Sequence, residues 1–277
     1  FLRLLTVAAL IIALAGPRFA NDRTETQVSG VDIMLVLDLS WSMMAQDMGK
    51  EGEHVSRFDI ASRVLEDFVR KRANDRIGLI VFSAVPYLAS PLTLNHDWLV
   101  ESLRRLHVGL IRELGTAIGD ATAAAAKRLK AVKASKSRVM ILLTDGVNNR
   151  GEIDPITAAK IAATYNLRVY TVGVGAQGEA PYPVETPFGI QRRLIPVDLD
   201  EKTLSAVADM TGGKYYRATD NRKLKAIYKE IDQLERSRIE VTAYKRYSEK
   251  YYGWLAGGLL VLLLEVGLAG TVLRKIP

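Results

Sequence analysis

Apolar positions along this chain gather into short solid runs separated by longer amphipathic stretches. The runs predict strands at Asp32–Leu37, Arg76–Phe82, Tyr87–Pro91, Val139–Thr144 and Arg168–Val174. The stretches between and after them predict helices at Phe58–Arg72, Trp98–Leu106, Thr116–Lys130, Pro155–Tyr165, Glu201–Met210 and Asn221–Arg236. Strands alternating with helices in this way imply an α/β fold, a mostly parallel sheet covered by helices on both faces. Residues 178–196 are rich in Pro and Gly and interrupt the alternation, which reads as an inserted β-hairpin. Ile239–Tyr244 alternates again and reads as a late strand.

The two ends differ from the middle. Leu4–Gly16 is apolar, preceded by Arg3 and closed by Pro17 and Arg18. It is shorter than the roughly 20 residues of a spanning helix. The chain begins at Phe1 rather than Met, so upstream sequence is expected and a retained anchor is favoured over a cleaved signal peptide. Trp254–Leu273 is almost wholly apolar, bordered by Tyr251, Tyr252 and Trp254 on one side and Arg274-Lys275 on the other. Interfacial aromatics with basic residues beyond are the pattern of a spanning helix. Glu265 lies inside this run, where an ionisable side chain is expected to face protein, and Gly253 and Gly257 are spaced for close helix approach.

Composition removes several classes of chemistry. The 277 residues include no cysteine, which excludes disulfides, thiolate metal sites and a cysteine nucleophile. Three histidines at unrelated spacings, His54, His96 and His107, make no local metal cluster or hydrolytic triad. The formal charge of +7 favours an acidic partner or anionic lipid. The basic run from Lys127 to Arg138 reads as a solvated helix end, and no recognised motif or interleaved aromatics support nucleic-acid binding.

Candidate chemistry is concentrated where strands end. Asp38-Leu39-Ser40-Trp41-Ser42 follows the first buried run and delivers three oxygen side chains at alternate positions. Thr144-Asp145-Gly146 closes a second run, and ligands of open α/β sheets bind outside the carboxyl ends of strands. Thr116, expected to open a helix at the same edge, supplies a further hydroxyl. Oxygen-only donors suit a hard divalent cation, Mg2+ first, with Mn2+ or Ca2+ as substitutes. Residue by residue, each is also an ordinary helix-capping type; the combination is what points to a metal. Gly173-Val174-Gly175-Ala176-Gln177-Gly178 spells a dinucleotide-binding pattern, but Pro181 and Pro183 leave no room for the helix such a site requires. Asp97, beside His96, reads as a helix cap.

The order Asp-x-Ser-x-Ser, Thr, Thr-Asp-Gly resembles the metal-ion-dependent adhesion site of von Willebrand factor A domains. Residues 75–82, 115–121, 142–149 and 169–175 further resemble BatA/BatB-type membrane proteins of bacterial aerotolerance operons. The resemblance implies a Rossmann-like domain over 30–237 containing the 178–196 hairpin. The apolar ends are read as a truncated transmembrane segment at 1–19 and a transmembrane helix at 253–273, the latter joined to the domain by a stem at 238–252. In such domains Ser40, Ser42 and Thr116 contact the metal directly, while Asp38 and Asp145 hold it through water. Trp41 stands where the family usually has glycine, either narrowing the approach to the metal or serving as an aromatic anchor for a partner. The implied function is non-enzymatic, metal-dependent protein interaction in an inner-membrane stress-tolerance complex, with the domain in the periplasm. The implied partners are a protein that supplies an acidic side chain to the metal, other Bat-type and tetratricopeptide membrane proteins, and a MoxR-type AAA+ ATPase. The rival readings are a metal-assisted hydrolase and a structural scaffold with an empty metal site.

Overall fold

The computed structural model describes residues 2–16, 18–27, 30–49, 53–132, 137–176, 178–187, 189–236, 242–249 and 251–270. In chain order the elements are α1 (Leu2–Leu14), β1 (Arg18–Gln27), β2 (Asp32–Asp38), a 3-10 turn (Trp41–Met44), α2 (Arg57–Arg70), β3 (Arg76–Phe82), β4 (Pro86–Thr93), α3 (His96–Arg104), α4 (Ile118–Lys130) and β5 (Arg138–Thr144). There follow α5 (Pro155–Thr164), β6 (Arg168–Val174), β7 (Glu179–Thr186), β8 (Gly189–Pro196), α6 (Glu201–Met210), β9 (Tyr215–Ala218), α7 (Asn221–Arg236), β10 (Thr242–Glu249) and α8 (Tyr251–Gly270). They form two compact units, one of residues 29–240 and one of residues 1–28 with 241–277.

The larger unit is built on a six-stranded sheet of order β4-β3-β2-β5-β6-β9. Only β4 runs antiparallel to its neighbour. Every residue of β2 is buried, because both faces of the sheet are covered. Ile33, Leu35 and Leu37 pack on one face with Val64, Leu65 and Phe68 of α2 and Ile231 of α7. Met34 and Val36 pack on the other with Ala121, Ala125 and Leu129 of α4 and Ala162 of α5. The predicted α/β architecture is therefore present, and register positions the site. Asp32 pairs with both Arg76 and Arg138, so β2, β3 and β5 end at one edge of the sheet.

Two local expectations are corrected. Helix α4 begins at Ile118 with Ala117 as its cap residue, so Thr116 belongs to the preceding loop. Helix α3 is capped by the Asn95 side chain, which accepts from the Trp98 N–H, and Asp97 lies inside the first turn. Asn wins because its short amide is already outside the helix, where a cap must sit. After Gly173 and Gly175 the chain enters strand β7, not a helix, so the glycine pattern lacks the helix N-terminus that a dinucleotide needs. β7 and β8 form a separate antiparallel pair. Lys133 and Lys136 of the basic run lie outside the described residues.

In the smaller unit β1 and β10 pair antiparallel, Arg18 opposite Glu249 and Gln27 opposite Thr242. The predicted strand 239–244 falls partly outside the described residues, and β1 had no counterpart in the sequence reading. Tyr251–Leu268 is long and apolar enough to cross a membrane, by length and composition; Arg3–Leu14 is a shorter apolar helix. Glu265 of α8 accepts from Arg3 Nε of α1 at 2.6 Å. The two helices meet at Gly258, where an added Cβ would touch Ala9 at 3.4 Å. Gly253 and Gly257, predicted to line a helix contact, have open space beside them.

Candidate metal centre

Three loops at the carboxyl edge of the six-stranded sheet build the site. The first leaves β2 through Asp38, which is fully buried. Its Oδ1 accepts from the Ser40 N–H at 2.7 Å, and its Oδ2 accepts from Thr144 Oγ1 at 2.5 Å. The Ser40 and Ser42 hydroxyls are 3.0 Å apart. Ser42 donates to Asp145 Oδ1 at 2.6 Å, which joins the first loop to the second.

The third loop carries Thr116, which is 5 % exposed. Its N–H donates to Asn149 Oδ1 at 2.8 Å and its carbonyl accepts from the Asn149 N–H at 3.0 Å. The Ser83 carbonyl, just past β3, accepts from the Ala117 N–H. The threonine is thus fixed between the ends of β3 and β5, with its side chain against Gly146. Ser42, Thr116, Asp145 and Gly146 line one cleft of about 190 Å³, together with Asn149 and the Ile195–Asp198 segment at the end of β8. The structure therefore brings Asp38, Ser40, Ser42, Thr116 and Asp145 to one place.

Trp41 stands apart from this cleft. It is half-exposed and its indole lies beside Gly109, where an added Cβ would come within 3.3 Å of the ring. Position 41 has an ordinary negative φ, so glycine's conformational freedom is not required there.

Sequence reasoning missed Arg57 and Asp47. Arg57 Nη1 donates to Asp145 Oδ2 at 2.7 Å, while Nε and Nη2 donate to the two oxygens of Asp47 at 2.7 and 2.5 Å. One signal was available: Arg57 is the first residue of α2, where a cation opposes the helix dipole and needs an outside partner. Thr144 was noted only as part of a motif; its role is to hold Asp38 in place.

Burial dominates the electrostatics. It pushes Asp38 well above the usual carboxylate range, and the Asp145 charge pushes the same way, against hydrogen bonds from Ser40 and Thr144. Burial also raises Asp145, partly offset by the Arg57 charge and the Ser42 hydroxyl. Asp47 resists burial because the Arg57 fork and the Ala176 N–H hold it below its ordinary value. Two carboxylates, Asp47 and Asp145, share one guanidinium, and Asp38 lies close enough to Asp145 for each charge to oppose the other, an arrangement that a divalent cation would relieve. Among the described residues no three His, Asp or Glu side chains converge as a metal cage. The donor set here is instead three neutral hydroxyls backed by two tethered carboxylates, all oxygen, which fits a hard divalent ion.

Comparison with known proteins identifies the domain. The von Willebrand factor type A domain family matches residues 32–230. The crystal structure of BatB from Bacteroides thetaiotaomicron is 31% identical, covering 74% of this chain and 99% of that one, with a TM-score of 0.64. An aerotolerance-related membrane protein from Bacteroides fragilis, solved with multiple mutations to serine, is also 31% identical, covering 74% of this chain and 98% of that one at a TM-score of 0.63. An uncharacterized protein of Borreliella burgdorferi is 24% identical over 98% of this chain and 78% of its own length. The chain belongs to the von Willebrand factor type A domain family, with BatB among its relatives.

Proposed function

We propose that this protein is a membrane-anchored interaction module whose cleft holds a divalent cation, Mg2+ in the first place, and presents it to an acidic side chain of a protein partner. The observation that carries this reading is the convergence of Ser42, Thr116 and Asp145 from three loops on one open cleft, with Asp38 and Ser40 directly behind. Ser40, Ser42 and Thr116 would bind the ion, and Asp38 and Asp145 would hold it through water. Neutral hydroxyl ligands leave the cation most of its charge, so a partner carboxylate is attracted to it. In a partly dry interface that attraction exceeds its value in water because the effective dielectric is lower. Trp41, one residue from Ser40 and Ser42 in sequence and half-exposed outside the cleft, offers an aromatic contact for the same partner.

The apolar helix α8 is read as the anchor in a bacterial cytoplasmic membrane, with the interaction unit on the periplasmic side. The likeness to BatB and to an aerotolerance-related membrane protein supports a role in an envelope stress-tolerance complex. Its expected members are other Bat-type proteins, tetratricopeptide membrane proteins and a MoxR-type AAA+ ATPase.

Affinity purification from native membrane, with and without chelator, tests the reading. Partners should be retained in Mg2+ and lost both in chelator and in Thr116→Ala. A set of bound proteins unchanged by both treatments would sink it. Protease protection in intact spheroplasts tests sidedness: a protected interaction unit contradicts the periplasmic placement.

A further inference from the structure

We infer that Arg57, gripped by Asp47, is a positioning residue that turns Asp145 into a one-oxygen acceptor and so tilts the site toward Mg2+ and away from Ca2+. The inference rests on the proposed reading of the cleft as a divalent-cation site. Asp145 Oδ2 is occupied by Arg57 Nη1 at 2.7 Å, which leaves Oδ1, shared with Ser42, as the oxygen on the hydroxyl side. Arg57 cannot easily let go. Its other two nitrogens are forked onto Asp47, and Asp47 Oδ2 is pinned again by the Ala176 N–H at 2.7 Å. The side chains of Arg57, Asp47 and Asp145 are 3 %, 4 % and 0 % exposed, so water offers no substitute partner. The guanidinium is also closed in by the chain after β6. At Gly175, with φ of +116°, an added Cβ would stand 2.5 Å from Arg57 Nη2.

Asp38 is restricted in the same way, with one oxygen on the Ser40 N–H and the other on Thr144. Neither carboxylate can therefore turn both oxygens toward one ion. That matters because the two cations have different needs. Ca2+ takes about six to eight oxygens and commonly uses a carboxylate bidentately, whereas Mg2+ takes about six in a tight octahedron and keeps several waters. Carboxylates locked to single-oxygen or water-mediated use satisfy the second ion and starve the first. Charge alone would not do this. A guanidinium beside Asp145 weakens the attraction for either divalent ion about equally, so its electrostatic effect cancels in the ratio of the two affinities.

The test is calorimetric titration of the full chain in detergent micelles with MgCl2 and, separately, CaCl2, for the wild type, Arg57→Lys and Arg57→Gln. Lysine keeps the charge but lacks the planar fork that holds two carboxylates at once. The wild type should bind Mg2+ at least as tightly as Ca2+, and both variants should shift the ratio of dissociation constants toward Ca2+ by about tenfold, a change of ~1.4 kcal/mol. Wild-type protein that binds neither ion overturns the reading of the cleft and this inference with it. Wild-type protein that prefers Ca2+, or folded variants with an unchanged ratio, overturn the inference alone. Circular dichroism reports whether each variant folds; if neither does, the wild-type ratio decides.

Discussion

Replacing Thr144 with valine isolates the support beneath Asp38. The two side chains have nearly the same shape, so the change removes a hydroxyl without opening a cavity. Both Thr144 and Asp38 are fully buried, and the Thr144 hydroxyl meets Asp38 Oδ2 at 2.5 Å. Water cannot replace it. A buried hydrogen bond to a charged group is worth about 1.5–3 kcal/mol, and leaving the acceptor unpaired costs a comparable amount, so a loss of about 2 kcal/mol is expected. For a folded unit of this size the thermal midpoint should fall by about 4–8 °C. Removing the hydroxyl also deletes one of the bonds that hold the Asp38 pKa down, pushing it further up. The assay is thermal unfolding of the full chain in micelles in chelator, followed by circular dichroism, with Thr144→Ser as the variant that keeps the hydroxyl. Serine should recover most of the loss. A valine variant within about 0.5 kcal/mol of the wild type would refute the claim that this bond fixes Asp38.

Three further outcomes follow from particular contacts. Gly119→Ala should cost at least about 2 kcal/mol by overpacking, because its Cβ would stand 1.8 Å from the Ile153 carbonyl oxygen; an unchanged urea midpoint would contradict the close approach of α4 to that loop. Glu235, 1 % exposed, accepts from Tyr170 and Arg168 at the opposite end of the sheet, so Glu235→Ala should cost about 3 kcal/mol while leaving Mg2+ affinity unchanged; a fall in affinity would refute the separation of the two ends. Asp47 is held below its ordinary pKa in the folded state, so its contribution is present above the unfolded value and is lost as pH falls through the folded one. Asp47→Asn should accordingly flatten the acid limb of a stability–pH curve, and a limb of unchanged slope would count against that role.

The sheet was legible because its strands are solid apolar runs, and a solid run of that length between amphipathic stretches has few other solutions. The carboxyl-edge oxygens were legible for the same reason: once the strands are placed, Asp38 and Asp145 fall at their ends. What stayed hidden depends on distance along the chain. Arg57 and Asp47 precede and open α2, and nothing local says that they meet each other and Asp145, 88 residues beyond Arg57. Thr116 was found but placed on the wrong element, because an N-terminal helix residue and a loop residue two positions earlier look alike in sequence. Strand β1 was missed because it is polar apart from Phe19 and Ala20 and its pairing with β10 joins opposite ends of the chain. Glu265 was recognised as needing a partner, but the pattern could not show that Arg3 of the same chain provides one.

The central claim is that hydroxyls from separate loops converge on one cation, and anomalous scattering tests it most directly. Crystals of the protein soaked in MnCl2 should show a single strong anomalous peak in the cleft, within about 2.0–2.4 Å of the Ser40, Ser42 and Thr116 hydroxyl oxygens. A map with no peak there, or with manganese bound only at surface carboxylates elsewhere, would contradict the account.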